Sequence, residues 1–216
     1  MIEKNRLKGL VFVMIAGGFS SLAMCGDKDV QDFKMSQSFL ESKPQLLSFS
    51  LEDVVTGKAV SLSSFPESTK ATVVVFMCNH CPSVIHILDK LIETANIYIP
   101  LGIRFIGISS NDIEGYPEDG PDKMKELAIK KNFPFSYVFD ETQEVARAYE
   151  AKCTPDVFVL NRDFEIYRGR FDGTKPGSGN ISTGEDLKLV LDCILKNEPL
   201  PEPKESMGCT IKWKLK

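Results

Sequence analysis

Apolar and polar positions divide the chain into a short apolar start, a polar stretch and a long region with two alternating patterns. Residues 71–77 and 103–109 are continuous runs of β-branched, aromatic and other apolar residues, typical of strands buried on both faces of a sheet. Residues 81–98 repeat apolar side chains at helical spacing and keep charged side chains on the opposite face. Strands that alternate with helices in this way predict an α/β domain.

The remaining elements complete one mixed sheet. Residues 46–51 and 59–62, on either side of a turn with Gly57, predict a β-hairpin near the start of the domain. Residues 156–160 and 165–171 predict a second hairpin that closes the sheet. Further helices are expected over residues 124–131, 141–151 and 186–196. The sequence shows no internal repeat and no second core, so residues 45–214 are interpreted as one domain.

The first 25 residues have the three parts of a secretory signal peptide. Three basic side chains precede an apolar run over residues 10–19, and Ser21 and Ala23 form a cleavage site of small residues. The alternative is a lipoprotein signal that would attach a lipid, and so a membrane anchor, to Cys25. Residues 26–44 are polar and predict a linker. We therefore expect export to the periplasm or another extracytoplasmic compartment.

Composition excludes several classes of protein. The chain has 216 residues, of which 43% are hydrophobic and 26% charged, as in a folded domain rather than a disordered or polytopic membrane chain. The net charge is −4 at pH 7, which argues against a nucleic-acid partner. Six cysteines are too few for a disulfide-stabilised miniprotein, but they are enough for a redox or metal site.

The candidate chemistry lies in the C-x-x-C motif formed by Cys78 and Cys81. Because a buried strand passes into a helix here, Cys78 is expected to stand exposed at the helix N-terminus, where backbone N–H groups favour a thiolate. Cys81 lies one turn further on and can close a disulfide with it, and Pro82 suits a first helical turn. His80 adds partial positive charge that would lower the pKa of Cys78. We predict that Cys78 is the attacking thiolate and Cys81 the resolving thiol, with no cofactor and no metal.

Three other interpretations of the C-x-x-C motif remain. A zinc site with Cys78, Cys81 and His80 or His86 would normally need a second, similarly spaced pair of ligands, and the sequence holds none. A purely structural disulfide is disfavoured because so short a loop removes little chain entropy. Copper binding through the two thiols and His80 is the third, since soft sulfur and imidazole ligands suit that metal.

Eight segments resemble those of a known family. They are residues 49–51, 76–82, 110–112, 116–119, 140–146, 153–156, 167–170 and 208–214. Together they resemble the thioredoxin-fold redoxins, specifically the peroxiredoxin-like thioredoxin proteins with a CNHCP active-site motif, over about residues 44–214. The resemblance implies a thioredoxin fold, in which a mixed central sheet is flanked by helices, with an N-terminal β-hairpin extension. It also implies that Pro155 follows Thr154 through a cis peptide bond, beside the C-x-x-C, and that backbone groups there receive an extended substrate.

The activity that this resemblance implies is thiol–disulfide exchange with exported proteins. A thiol peroxidase that uses Cys78 is the alternative, although neither cysteine of the motif fits the peroxiredoxin pattern P-x-x-x-T-x-x-C. Two departures from classic thioredoxin stand out. Met77 replaces its tryptophan, and the strand before Cys78 contains no acid to act as a proton relay.

Three other cysteines belong to the predicted domain. Cys153 and Cys209 are candidate additional redox thiols, although Cys153 could equally be a small buried residue that packs the site. Cys193 follows the apolar stripe of the last helix and is expected in the core. In the tail, Cys209, Ile211 and Trp213 alternate, which places them on one face. We predict an ordered tail that buries Trp213 and bonds Cys209 to Cys153; the alternative is purely apolar docking with a free Cys209.

Overall fold

The computed structural model describes residues 48–63, 66–161 and 164–215. The predicted signal peptide, Cys25 and the predicted linker lie outside the described residues. The strands are β1 (Ser50–Glu52), β2 (Ala59–Ser61), β3 (Ala71–Phe76), β4 (Ile103–Ser109), β5 (Ser136–Phe139), β6 (Cys153–Thr154), β7 (Asp156–Asn161), β8 (Phe164–Gly169) and β9 (Cys209–Thr210). The α-helices are α1 (Pro82–Tyr98), α2 (Pro121–Lys130), α3 (Glu144–Ala148) and α4 (Glu185–Lys196), and single 3₁₀ turns span Ile99–Leu101 and Pro117–Asp119.

Five strands form a mixed sheet in the order β5-β4-β3-β7-β8. Strand β3 pairs in parallel with β4, which pairs in parallel with β5. Strand β7 runs antiparallel to both β3 and β8. This is the α/β architecture expected from the sequence, with the predicted hairpin of β7 and β8 closing one side. Because the C-x-x-C follows β3, the candidate site stands at the end of the central strand.

The central strands are buried on both faces because packed layers cover each side of the sheet. All six residues of β3 are buried. Val73 and Val75 belong to the core cluster that contains the apolar faces of α1 and α4. Val74 and Phe76 belong to a second cluster, which includes residues of the β1–β2 hairpin and of α3. The alternation follows the two-residue period of a strand, and it explains why the sequence is continuously apolar here.

The N-terminal hairpin forms as predicted, with β1 antiparallel to β2. Its turn is closed by Asp53, whose Oδ1 accepts hydrogen bonds from the backbone N–H groups of Val55 at 2.9 Å and Thr56 at 2.8 Å. Gly57 then adopts a φ of 68°, a left-handed conformation that costs glycine little. The hairpin is therefore fixed by its own local sequence.

One helix is shorter than its pattern predicts. The helix expected over residues 141–151 covers only Glu144–Ala148, because Gln143 before it adopts a φ of 63°. Asp140 compensates for this late start, since its Oδ2 accepts a hydrogen bond from the backbone N–H of Ala146 at 2.9 Å. None of the helices in the described ranges combines the length and apolar character that crossing a membrane requires.

Candidate active site

Cys78 and Cys81 lie just beyond β3, and both are fully buried in the dithiol form. Helix α1 begins at Pro82, so its N-cap residue is Cys81 rather than Cys78. The prediction that Cys78 stands exposed at the helix N-terminus is therefore wrong, because Cys78 is buried and a bend at Asn79 and His80 separates it from the helix. Pro82 occupies the first turn as predicted, where its missing N–H costs no hydrogen bond.

The surroundings of Cys81 favour its thiolate. Hydrogen bonding from the Cys78 thiol lowers the pKa of Cys81, and the Thr154 side chain, the backbone N–H of Val84 and the Cys209 side chain act in the same direction against burial. While Cys81 is protonated, its thiol donates to the backbone carbonyl of Thr154, with an S–O distance of 3.0 Å. Donors at a helix N-terminus stabilise a sulfur anion by the same physics that caps helices.

The surroundings of Cys78 disfavour its thiolate. Its sulfur lies 3.6 Å from Thr154 Oγ1 and 4.0 Å from His80 Nδ1. The interaction with Cys81, burial and the negative charge of Asp119 all raise the pKa of Cys78, and only the Thr154 hydroxyl opposes them. The prediction of a lowered Cys78 pKa is thus wrong. Of the two sulfurs, Cys81 is the one whose surroundings lower its pKa.

Asp119 is the site residue that the sequence reasoning missed. This fully buried carboxylate accepts hydrogen bonds from the backbone N–H groups of Asn79 at 2.8 Å and His80 at 3.1 Å, and from Asn111 Nδ2 at 2.8 Å. His80 Nδ1 lies 2.5 Å from its Oδ2, and the imidazole stacks on Tyr116 with ring centres 4.9 Å apart. Strand β3 has no acid, and Asp119 lies beside Cys78 from the 3₁₀ turn Pro117–Asp119, within a segment that the family resemblance already includes.

The same region brings together three side chains of types that bind metals. Ligand atoms of Cys78, His80 and Asp119 all lie within 4.8 Å of one another, in the part of the chain that the structure describes. This set differs from the copper and zinc ligands considered from the sequence, because Asp119 replaces Cys81. The carboxylate already accepts protein hydrogen bonds at both of its oxygens, so the cluster is explained without a metal ion.

Thr154 contacts the dithiol, and Pro155 follows it as the family resemblance implied. The peptide bond between them is cis. Thr154 contacts both sulfurs, through its hydroxyl to Cys78 and through its carbonyl to Cys81. Thr154 therefore connects the two sulfurs to the backbone segment at which an extended substrate is expected.

The C-terminal tail is ordered, as predicted, but it joins the domain through strand pairing rather than through the predicted disulfide. Strand β9 pairs antiparallel with β6, so that Thr154 faces Cys209 and Cys153 faces Thr210. Successive residues of a strand point to opposite sides, which turns the Cys153 and Cys209 side chains away from each other. Both are free thiols. The register of β6 and β9 therefore disfavours the predicted Cys153–Cys209 disulfide.

The remaining predictions for the cysteines and the tail have mixed outcomes. The Cys153 thiol donates to the Pro155 carbonyl at 3.5 Å, and burial raises its pKa to about 12, which supports the packing role. Cys193 is buried in α4, as expected. Ile211 docks into the core, whereas Trp213 stays 38% exposed with the Arg147 guanidinium 4.5 Å from its ring centre.

Comparisons with known proteins agree with this architecture. Residues 43–168 match the family described as the AhpC/TSA family. An uncharacterized conserved protein from Geobacillus kaustophilus is 46% identical with a TM-score of 0.75, covering 79% of this chain and 91% of that one. A hypothetical protein from Sinorhizobium meliloti is 34% identical with the same TM-score, covering 79% and 93%.

A more distant comparison concerns the fold alone. A thiol:disulfide interchange protein of the thioredoxin family from Chlorobium tepidum is 18% identical with a TM-score of 0.53, and the alignment covers 71% of this chain and 98% of that chain. A search of curated proteins gave no match. The thioredoxin fold expected from the sequence is confirmed.

Proposed function

Since the chain belongs to the AhpC/TSA family and is a thioredoxin-fold redoxin, we propose that it is an exported thiol–disulfide oxidoreductase acting through Cys78 and Cys81. The observation that carries the proposal is the pair of buried thiols at the end of β3, both of which contact Thr154, with Cys81 as the N-cap residue of α1. Their mutual interaction raises the pKa of Cys78 and lowers that of Cys81. A thiolate paired with a neighbouring thiol is the reactive unit of disulfide exchange.

In the proposed reaction, the Cys81 thiolate attacks one sulfur of a substrate disulfide. The substrate disulfide breaks, one substrate thiolate leaves, and Cys81 is held in a mixed disulfide. Cys78 then loses its proton and attacks Cys81 Sγ, which forms the Cys78–Cys81 disulfide and releases the second substrate thiol. These roles reverse those predicted from the sequence, because the N-cap position and its donors belong to Cys81.

Asp119 and His80 are assigned to the Cys78 half of this reaction. The interaction with Cys81, burial and the Asp119 carboxylate together raise the pKa of Cys78, so this thiol keeps its proton while Cys81 attacks. The same carboxylate, whose Oδ2 lies 2.5 Å from His80 Nδ1, is proposed to act as the general base that accepts the Cys78 proton in the second step. The pair is thus proposed to control the timing of the second step.

The proposed partners are exported proteins that contain thiols or disulfides. Support comes from the signal-like residues 1–25 and from Thr154, whose backbone lies beside the dithiol. Exported chains meet an oxidising compartment in which disulfides persist. The proposal needs no cofactor other than the redox-active disulfide.

A chromogenic aromatic disulfide tests the assignment. Cys78→Ser should still release substrate thiol in a rapid first step, whereas Cys81→Ser should slow that step by about 100-fold or more, because the thiolate is removed. Cys193→Ser is the matched control, since Cys193 is a buried thiol on α4. The opposite ranking would restore Cys78 as the attacking residue. If neither substitution changed the rate, the dithiol would not be the active site.

Two alternatives are separated by the same preparation. A thiol peroxidase would consume hydrogen peroxide stoichiometrically with its thiols and leave the aromatic disulfide nearly untouched. A metal carrier would be purified with copper or zinc, and metal removal would increase the reactivity of its thiols towards alkylating reagents. Exchange without peroxide consumption and without bound metal supports the proposed function.

A further inference from the structure

We propose that Cys209 is a second resolving thiol for Cys81, delivered by the C-terminal strand β9. The inference rests on the proposed disulfide exchange at Cys81 and adds a residue to it. Cys81 then stands between two thiols, Cys78 from its own C-x-x-C and Cys209 from the tail. Either can attack a disulfide formed at Cys81.

The pairing of β9 with β6 places Cys209 beside Cys81. Thr154 faces Cys209 in the register of the two strands, and the same Thr154 accepts the Cys81 thiol through its carbonyl at 3.0 Å. The Cys209 side chain packs against the core cluster that contains Cys81, and the two thiols influence each other's pKa. Thr154 thus holds both thiols against one backbone position. An extended substrate is expected to pair there, so the tail lies in place of a substrate strand.

Contacts on both sides of Cys209 hold the strand in this position. Before it, Ser206 donates its hydroxyl to Asp156 Oδ1 at 2.6 Å. After it, Ile211 is 3% exposed in the core, and the backbone N–H of Lys212 donates to Asn111 Oδ1 at 2.9 Å. A thiol held this way reacts as part of the same molecule, at an effective concentration far above that of a free thiol.

Cys209 is also the thiol of this group that solvent reaches. Cys78 and Cys81 are fully buried, whereas Cys209 is partly exposed. It lines a cavity of about 440 Å³, together with Ser83, Ile87, Pro155, Met207 and Gly208. Neither cysteine of the C-x-x-C lines this cavity. Of these three thiols, Cys209 is therefore the one that the cavity reaches.

The proposed step is an internal disulfide exchange. Cys209 loses its proton, and its thiolate attacks Cys81 Sγ of the Cys78–Cys81 disulfide. The Cys81–Cys209 bond forms, the Cys78–Cys81 bond breaks, and Cys78 leaves with the electron pair and takes up the proton. The number of disulfides is unchanged, so the step needs no external oxidant. In a mixed disulfide at Cys81, the same attack would release the substrate thiol instead.

Peptide mapping of the full chain tests the proposal. After equilibration in glutathione redox buffers, alkylation and trypsin digestion, Cys78 and Cys81 share the peptide of residues 71–90, Cys209 lies in 205–212 and Cys153 begins 153–162. We expect a disulfide-linked pair of peptides 71–90 and 205–212. Cys78→Ser should increase this linked pair at least tenfold, because Cys78 no longer competes, and Cys81→Ser should abolish it.

Each other outcome overturns a distinct claim. A Cys78–Cys81 disulfide with Cys209 always free would leave the proposed function intact and reject Cys209 as a resolving thiol. A link that persists in Cys81→Ser would assign Cys209 to Cys78 and reject the proposal, as would a link between Cys209 and Cys153. If no disulfide involves residues 71–90 at any redox potential, the proposed function itself fails. Fragmentation of the linked wild-type peptide identifies the bonded cysteine without a variant.

Discussion

The two sulfurs of the C-x-x-C motif are chemically identical, yet the two sides of the site treat them differently. On the Cys78 side, the 3₁₀ turn Pro117–Asp119 brings a buried carboxylate towards the sulfur, which opposes a second negative charge. On the Cys81 side, a helix N-terminus and a neighbouring thiol provide donors. The loops and the tail around the motif, rather than its spacing, thus account for the opposite pKa shifts of its two thiols.

Each side also contains a buried aspartate that closes a loop. Asp119 accepts hydrogen bonds next to Cys78, whereas Asp172 does so beside the cavity that Cys209 lines. Asp172 Oδ2 accepts from Ser182 Oγ at 2.5 Å and from the backbone N–H of Gly184 at 2.9 Å. One carboxylate therefore acts on a thiol, and the other only holds a loop in place. Substitutions at these positions separate the two effects.

The largest expected effect is that of Asp119→Asn. An amide preserves the shape, but its NH₂ group cannot accept the hydrogen bonds that reach both carboxylate oxygens, so buried donors lose their acceptors. We expect a loss of about 2–4 kcal/mol in the free energy of unfolding, measured by urea denaturation. Asp89→Asn is the control, because Asp89 forms an exposed ion pair with Lys131. Equal stability of the two variants would show that Asp119 does not organise the Cys78 side.

Much of the fold could be predicted because the pattern along the chain reports burial directly. A strand buried on both faces, such as β3, must be apolar throughout, and α1 must repeat its apolar side chains at helical spacing. The start of α3 could not be predicted, because Gln143 lies outside the helix and its side chain hydrogen-bonds to the C-terminal tail. Its Nε2 donates to the Lys212 carbonyl at 2.9 Å, a contact between residues far apart in the chain.

The next effect concerns acid stability on the cavity side. Burial alone would raise the pKa of Asp172, but hydrogen bonds from Ser182, Thr174 and Gly184 lower it from 3.8 to about 2. A lowered pKa in the folded state stabilises the fold above pH 3.8, and this contribution is lost as the pH falls through about 2. Asp172→Asn should remove on the order of 2 kcal/mol of stability at pH 6 and nearly nothing at pH 2.

Denaturation midpoints of Asp172→Asn and the unsubstituted protein, measured from pH 6 to pH 2, check this expectation. Glu185→Gln is the control, because Glu185 is an exposed acid on α4. A loss of stability that is the same at every pH would show that shape, rather than charge, accounts for the role of Asp172.

The candidate site could be predicted only in part. The motif and Pro155 are visible in the sequence because local spacing and family resemblance carry them. Asp119 and Cys209 reach the dithiol through a loop and a strand pairing, and neither contact leaves a periodic signal. The start of α1 agrees with the helix predicted over residues 81–98; the error lies in placing Cys78 at its N-terminus, because Cys81 is the N-cap residue and Pro82 occupies the first turn.

A smaller effect is expected from Gly208→Ala, which tests the Cys209 side. A Cβ atom at Gly208 would lie only 2.1 Å from the Thr154 carbonyl oxygen, so β9 must move away from β6. We expect alkylation of Cys81 and Cys209 by N-ethylmaleimide to become about tenfold faster, because local opening exposes both thiols. At Gly115, the added Cβ would have its nearest neighbour 3.6 Å away, so Gly115→Ala is the control. Unchanged rates in Gly208→Ala would mean that the tail does not shield the dithiol.

The smallest effect is expected from His80→Ala, although the sequence alone would give this residue a larger role. His80 Nδ1 lies 2.5 Å from Asp119 but 4.0 Å from the Cys78 sulfur, and the shared thiolate is better stabilised at Cys81. Removing the imidazole takes away some stabilisation of the reduced form, so the potential should become more reducing. The expected shift is less than about 30 mV, which corresponds to about 1.4 kcal/mol for two electrons. Equilibration with glutathione redox buffers measures this shift in potential.

The control is His86→Ala, since the hydrogen bond of His86 joins its Nε2 to Thr174 Oγ1 at 2.8 Å, outside the C-x-x-C. A shift beyond about 60 mV, twice that limit, would show that the Cys78 side, rather than the Cys81 side, controls the potential of the whole dithiol.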